Sequence, residues 1–413
     1  MVVRAAGAVK EVLFAGAFGV SADTDAFVLA VTYATFLPTV IGSAVATALI
    51  AERAKARADA EANLNALAWW VFAAAATCGI AVYALAPVAM SVLFTVSGET
   101  LSTAISYART LSPLGFAMVL SLAMCGLLNS EKQFYVAGMS AFATPVFTMG
   151  AIVLFASTWG VQAAAWGMVV GGLAEVVLLT LRILPQRELF FPGGALRASS
   201  ERERSFWQSV AVLSLAAAVA SVSPIVDQVF LAKLDTGAVT NLNYASKVNS
   251  LLIGLLGTAF GAAIYPYLSD FAARRDVSGL KRLTWRLAGV VLPLTGLVTL
   301  LVYVFSYDIV DLLFARGNFT RNAVAEVGAI QQIFALQLVF YIAGLLAMRV
   351  LNAAAAARFV FVISVIGVVS NALFDWLLYE SMGARGIALA SVLTSVISLV
   401  VSVAFIRSAL RPR

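Results

Sequence analysis

Val40-Ile41-Gly42-Ser43-Ala44-Val45-Ala46-Thr47-Ala48-Leu49 returns 215 positions later as Leu255-Leu256-Gly257-Thr258-Ala259-Phe260-Gly261-Ala262-Ala263-Ile264. Both strings are apolar, with small residues at matching places. Further correspondences follow at offsets of 220 to 223: Leu93-Phe94 with Leu313-Phe314, Leu128-Asn129 with Leu351-Asn352, and Gly160 with Gly383. A half-length duplication in an apolar chain predicts two similar helical lobes, with a substrate site near the bilayer midplane at their interface.

The rest of the chain has the composition such lobes need. Of 413 residues, 62% are hydrophobic and 12% charged, and the mean hydropathy is +0.96; a soluble globule carries about 25% charged residues. Apolar runs of roughly 20 residues, the length that crosses a bilayer core, recur near 1–20, 24–50, 64–86, 104–128, 133–156, 161–182, 206–232, 238–268, 284–306, 326–350, 358–379 and 385–407. These runs predict an all-α polytopic membrane protein with about twelve transmembrane helices in two six-helix lobes around a central cavity. Residues 1–184 form the expected N-lobe, 185–205 a polar linker and 206–413 the C-lobe. Six spans per lobe, an even number, make the repeat parallel.

The connections alternate in charge. One side holds Arg53, Lys55, Arg57, Lys132, the arginines from Arg182 to Arg204, the cluster Arg274 to Arg286, Arg349, Arg358 and the C-terminal arginines. The other has Arg109, Lys233, Arg316, Arg321 and Arg385. By the positive-inside rule both termini are expected in the cytoplasm. The net charge of +6 is therefore topological, and no nucleic-acid partner is expected. With no histidine in the chain, a histidine base, metal site or proton relay is excluded. Cys78 and Cys125 lack a metal-like spacing and read as free buried thiols. No metal site or enzymatic centre is expected. Pro38, Pro113, Pro145, Pro224 and Pro293 fall within spans and predict bends, while Gly167-x-x-x-Gly171 and Gly257-x-x-x-Gly261 predict close helix packing.

Ionisable residues inside spans cost about 2.5–3.5 kcal/mol each on insertion scales, so each needs a cavity, a partner or an interface. Lys10 and Lys247 lie near mid-span and form, with Arg4 closer to an end, a candidate cationic site for an anionic head group. Glu11 and Asp227 either tune that site or pair with the lysines to hold the lobes. Asp25, at the start of its span, is either a helix cap or a gating carboxylate. Asp375 either coordinates an ion or finds a helix partner. Arg316-Gly317 either grips a phosphate or ends an amphipathic helix.

The same residues carry a family likeness. Arg4-x5-Lys10-Glu11, Phe18-Gly19-x-Ser21-x3-Asp25-Ala26-Phe27, Asp227, Tyr244-Ala245-Ser246-Lys247, Pro266-x-Leu268-Ser269 and Leu313-Phe314-Ala315-Arg316-Gly317-Asn318-Phe319 together resemble the MurJ/MviN lipid-linked glycan flippases of the MOP superfamily. The resemblance implies alternating-access movement of an undecaprenyl-diphosphate-linked saccharide, lipid II or a related polysaccharide repeat unit, to the periplasmic leaflet of the bacterial inner membrane. Arg4, Lys10 and Lys247 would hold the diphosphate, with Glu11, Asp25, Asp227 and Arg316 gating or tuning charge. It implies no cofactor beyond a coupling monovalent ion or the membrane potential. The expected partners are the lipid-linked substrate, membrane lipids and cell-envelope glycan synthesis proteins, with the monomer functional. The chain departs from the family pattern: Phe36 to Ala44 lacks the arginine pair and Glu-Gly of span 2, Ser246 replaces an aspartate, and twelve spans are read without the two final helices. A polysaccharide-export relative therefore stays open, as does a MATE-like ion-coupled exporter of small organic molecules, though such an exporter calls for an anionic cavity.

Overall fold

The computed structural model describes residues 2–58, 65–96, 98–184, 200–273, 277–353 and 357–409, and over 258–273 the backbone alone. Its described residues are helical throughout, without a strand. The helices are α1 (Val2–Phe18), α2 (Ala22–Ala58), α3 (Asn65–Leu93), α4 (Gly98–Thr110), α5 (Ser112–Ser130), α6 (Phe134–Ser140), α7 (Ala143–Trp159), α8 (Gln162–Ile183) and α9 (Ser200–Ser221). They continue as α10 (Ser223–Leu231), α11 (Ala238–Ala273), α12 (Val277–Val304), α13 (Ser306–Phe314), α14 (Arg321–Ala353), α15 (Ala357–Met382) and α16 (Ala384–Ala409). Each of the twelve spans read from the sequence falls on one helix or on a consecutive pair. Among the described residues nine helices are long and apolar enough to cross a membrane, or ten with α9–α10, which bends by 42° at its break. Large apolar side chains such as Val92, Val153, Val212 and Leu312 face outward; in a bilayer such a surface meets hydrocarbon.

The chain forms two compact units, Met1–Ser221 and Val222–Arg413. The division falls later than the expected linker, because α9 packs along α2 of the first unit. Most of that linker, 185–199, lies outside the described residues. The two units repeat one order of elements. In the first, α2 packs on α5, α3 on α5, α5 on α8, α7 on α8 and α1 on α7. In the second the matching pairs are α11 on α14, α12 on α14, α14 on α16, α15 on α16 and α10 on α15. The aligned residues land on equivalent places. Phe94 and Phe314 are both buried, as are Leu128 and Leu351. Gly160 makes the turn between α7 and α8 and Gly383 the turn between α15 and α16, with φ of 56° and 59°, a left-handed conformation that glycine adopts without steric cost.

The prolines divide into two groups. Pro38 and Pro293 lie inside α2 and α12. Pro113 and Pro224, however, stand in the first turns of α5 and α10, and Pro145 is the third residue of α7. A proline lacks the N–H that a first turn leaves unpaired anyway, so it starts a helix more readily than it bends one. These three residues break their spans into α4–α5, α9–α10 and α6–α7.

Gly167 and Gly171 do set a close crossing. A Cβ on Gly167 would sit 2.6 Å from Thr148 Cα, and one on Gly171 would sit 2.6 Å from Thr144 Cα. Gly257 has only an ordinary contact, Leu345 Cδ1 at 3.6 Å, and the side-chain surroundings of Gly261 lie outside the described residues. Replacing Gly171 by leucine is therefore expected to force α7 and α8 apart and destabilise the first unit by about 1–3 kcal/mol, read as a lower unfolding temperature in detergent. An unchanged unfolding temperature would contradict the close crossing.

Candidate functional site

The sequence-derived cations occupy different settings. Arg4 is exposed on α1. Lys10, two turns further along the same helix, pairs with its neighbour Glu11 at 2.8 Å, with side-chain exposures of 21% and 15%. Glu11 is thus the direct counter-charge of Lys10. Lys247 is half-buried on α11. Asp227 takes its partners from α15 of its own unit.

Asp25 is buried in the first turn of α2, where Ser21 and Thr24 also make a cap: the Thr24 N–H donates to Ser21 Oγ at 3.2 Å, and the Ser21 N–H donates to Thr24 Oγ1 at 2.8 Å. Asp25 itself stands as a carboxylate in that first turn, where it complements the positive end of the helix. Arg316 is exposed and its Nη2 donates to the Leu312 carbonyl at 3.3 Å, one turn back on α13. A cation at the carbonyl end of a helix is stabilised there, so the contact seen is that of a helix terminus.

The most demanding chemistry lies in the second unit. Pro224 opens α10 and places Asp227 one turn in, against α15. On α15, Asn371 and Asp375 are four residues apart, hence on one face. Asn371 Nδ2 donates to Asp227 Oδ1 at 3.1 Å, and Asp375 lies beside Asp227 within hydrogen-bonding range. Asp375 is 0% exposed and Asn371 3%. Among the described residues no donor reaches either oxygen of Asp375, and Asn371 Oδ1 is likewise buried without a partner. Because a carboxylate only accepts, the donation to Asp227 fixes the Asn371 amide with its oxygen turned to the remaining space. Asp227 is half-buried beside the fully buried Asp375; ionised carboxylates accept and never donate, and two like charges this close disfavour one another. The arrangement is chemically complete once a proton is shared between the carboxylates, or once a cation takes oxygens from Asp227, Asp375 and Asn371. Among the described residues no group of three or more histidine, cysteine, aspartate or glutamate side chains gathers as a metal centre.

Sequence reading had noticed Asp375 only as an isolated charge and had passed over Asn371, since an amide within an apolar helix gives no spacing signal. It also missed Glu175, a carboxylate in the apolar run of α8. Glu175 hydrogen-bonds Thr144 and lies close to Cys125, beside the α6–α7 break.

This helical arrangement is that of a MOP-superfamily transporter. The structure aligns over 98% of its length, with a TM-score of 0.85 and 20% identity, to a solved lipid II flippase MurJ in an inward closed conformation, covering 86% of that chain. It also aligns over 98% of its length, with a TM-score of 0.79 and 15% identity, to an inward-facing MATE multidrug transporter, covering 94% of that chain. Sequence separates the two branches. The family model for the lipid II flippase MurJ matches residues 14–411, and the chain belongs to that family. A lipid II flippase MurJ of Burkholderia cenocepacia is 27% identical over 352 residues, 78% of this chain and 65% of the relative. For three MurJ relatives the matched chain spans 53% to 65% of their length.

Replacing Asp375 by asparagine puts a donor where a second acceptor stood. The variant is expected to unfold, in cation-poor buffer, at a temperature no lower than the parent. A loss of more than about 2 kcal/mol, the scale of a broken buried hydrogen bond, would show that Asp375 is already satisfied in some other way.

Proposed function

We propose that the protein is a flippase that carries a lipid-linked saccharide diphosphate from the cytoplasmic to the periplasmic leaflet by alternating access. The observation that carries this reading is the family match along nearly the whole chain. Lys10, Lys247 and Arg4 are the residues assigned to the diphosphate. Two phosphates in a desolvated site need more than one cation, and charge-assisted hydrogen bonds are about twice as strong as neutral ones. Glu11, at 2.8 Å from the Lys10 ammonium, holds that charge in place before the substrate arrives and competes with the phosphate for it afterwards. A lysine presents a point charge where an arginine would present a planar fork, so the grip is less directional than an arginine pair would provide.

The Asp227–Asp375 pair is assigned to the coupling ion, a proton or a monovalent cation. A transporter that binds this ion in one state more tightly than in another can shift between states as the ion enters and leaves. The basic connections are assigned to the cytoplasm, which also places both termini there and puts the α10–α11 and α15–α16 turns on the periplasmic side. The MATE reading has the fold likeness in its favour, yet an exporter of organic cations gains nothing from Lys10 and Lys247.

The test is a flipping assay in proteoliposomes holding lipid II or another undecaprenyl-diphosphate saccharide. Lys10→Ala and Lys247→Ala are expected to reduce translocation by about tenfold or more, the consequence of losing about 1.4 kcal/mol or more of charge-assisted binding, with protein abundance near normal. Wild-type rates in both variants would contradict the cationic grip, and failure to move any of the saccharide lipids would contradict the flippase itself.

A further inference from the structure

The second unit contains an unequal distribution of unsatisfied polar groups. Of the eleven buried side-chain atoms without a hydrogen-bond partner among the described residues, ten belong to this unit and one, in Gln133, to the first. Of those ten, seven are carbonyl or carboxylate oxygens, from Gln228, Asn241, Asn249, Gln331, Asn371 and both oxygens of Asp375. Two are hydroxyls, Thr299 and Thr394, and one is a nitrogen, Gln331 Nε2. Buried polar atoms in a folded protein are normally paired with protein or ordered water. An interior with this surplus of acceptors suits donors and positive charge, and opposes anions.

These atoms lead to a cavity. A space of about 690 Å³ opens at the end of the unit where α10 turns into α11, α14 begins and α15 turns into α16. Its walls include Asp235, Thr236, Asn241, Glu326, Ser381 and Arg385. Arg385 is already committed, since its Nη2 lies 3.3 Å from both oxygens of Glu326. Lys233, next to the cavity in sequence, sits over the rings of Phe230 and Tyr379 at 4.9 and 5.5 Å and is not part of the lining. The carboxylate of Asp235 therefore leaves the mouth negative. Asn241 is a wall residue whose side-chain oxygen is buried behind the wall without a partner. Ile330 of the wall adjoins Gln331, which is 0% exposed with neither amide atom paired. Along α15 the wall residue Met382 stands seven positions from Asp375, about 10 Å at helical rise. Along α10 and its turn, Leu234 stands seven positions from Asp227, with Gln228 between them.

We propose that this cavity is the vestibule of a hydrated path by which a monovalent cation, sodium or a proton, reaches Asp227 and Asp375. Asp235 gathers the cation at the mouth. Asn241, Gln331 and Gln228 replace part of its water shell with amide oxygens along the way. The proposal rests on the assignment of the carboxylate pair to the coupling ion; it does not need the saccharide to be identified.

The test uses the full-length protein with Cys78 and Cys125 replaced, carrying Asn241→Cys or Gln331→Cys in proteoliposomes without lipid substrate. Each is treated with membrane-impermeant thiosulfonate reagents of positive and of negative charge. Both positions are expected to react, the cationic reagent about tenfold faster or more, the scale on which a focused field biases encounter. Adding Asp235→Asn is expected to shrink that ratio. Sodium chloride that slows the reaction relative to choline chloride identifies sodium; slowing by acid alone, beyond that of an exposed Lys233→Cys control, identifies the proton. Silence at both positions while Lys233→Cys reacts, or equal rates for the two reagents, would overturn the path. Because the readout needs no lipid transport, cation-selective labelling alongside a failed flipping assay would remove the flippase reading and leave the path standing.

Discussion

Asp227 and Asp375 face one another inside a helical unit in which Asn371 donates to Asp227 and, among the described residues, no donor reaches either oxygen of Asp375. The arrangement is constraining, because an unpaired ionised carboxylate as buried as Asp375 is strongly disfavoured and a second carboxylate beside it makes it more so. The fold keeps the pair all the same, and it does so through backbone geometry. Pro224 starts a new helix where a continuous span would have carried Asp227 past α15. The four-residue spacing of Asn371 and Asp375 then presents an amide and a carboxylate to it together. A positive partner turns this from a liability into a binding site whose affinity depends on how α10 and α15 meet. The same dependence lets an ion bias a conformational equilibrium, since a ligand shifts states only by its differential affinity for them.

The surrounding framework is built for such small adjustments. Within each unit the same helix pairs touch in the same order, so the duplication in sequence is also a duplication of packing. Crossings are close where small residues allow it, as at Gly167 and Gly171. The breaks at α4–α5, α6–α7 and α9–α10 interrupt spans without leaving them unpaired, because a first-turn proline removes a donor that had no partner. Shorter helical pieces meeting at such breaks can change angle without breaking internal hydrogen bonds.

Much of this was legible before any coordinates. Gly160 and Gly383 were matched by alignment, and they prove to be equivalent turns in the same rare backbone conformation. Phe94 and Phe314 were matched in the same way and share the same burial. These features repeat locally, and local repetition survives in sequence. A proline's place in an apolar run says that the run is interrupted, as at the 42° bend between α9 and α10 beside Pro224, but only helix register shows that Pro113, Pro145 and Pro224 stand near the starts of helices. The type and place of Asp25 point to the start of a helix, and the hydroxyls of Ser21 and Thr24 make a cap there. The partnership of Asp227 with Asn371 and Asp375 spans 144 residues or more and depends on which faces of α10 and α15 meet. Nothing in the spacing of either segment records that. Glu175 escaped notice for the same reason, one carboxylate in a long apolar run whose partner Thr144 lies on another helix.

The need for a positive partner at the carboxylate pair can be measured directly. Purified protein is unfolded thermally at fixed ionic strength and neutral pH as sodium replaces choline, and again in choline as the pH is lowered. Binding to the folded state alone adds about 2.7 kcal/mol at a hundredfold excess over the dissociation constant, so the unfolding temperature should climb with sodium or with acid. An unfolding temperature indifferent to both, in a protein that is otherwise folded, would mean that Asp227 and Asp375 bind neither ion.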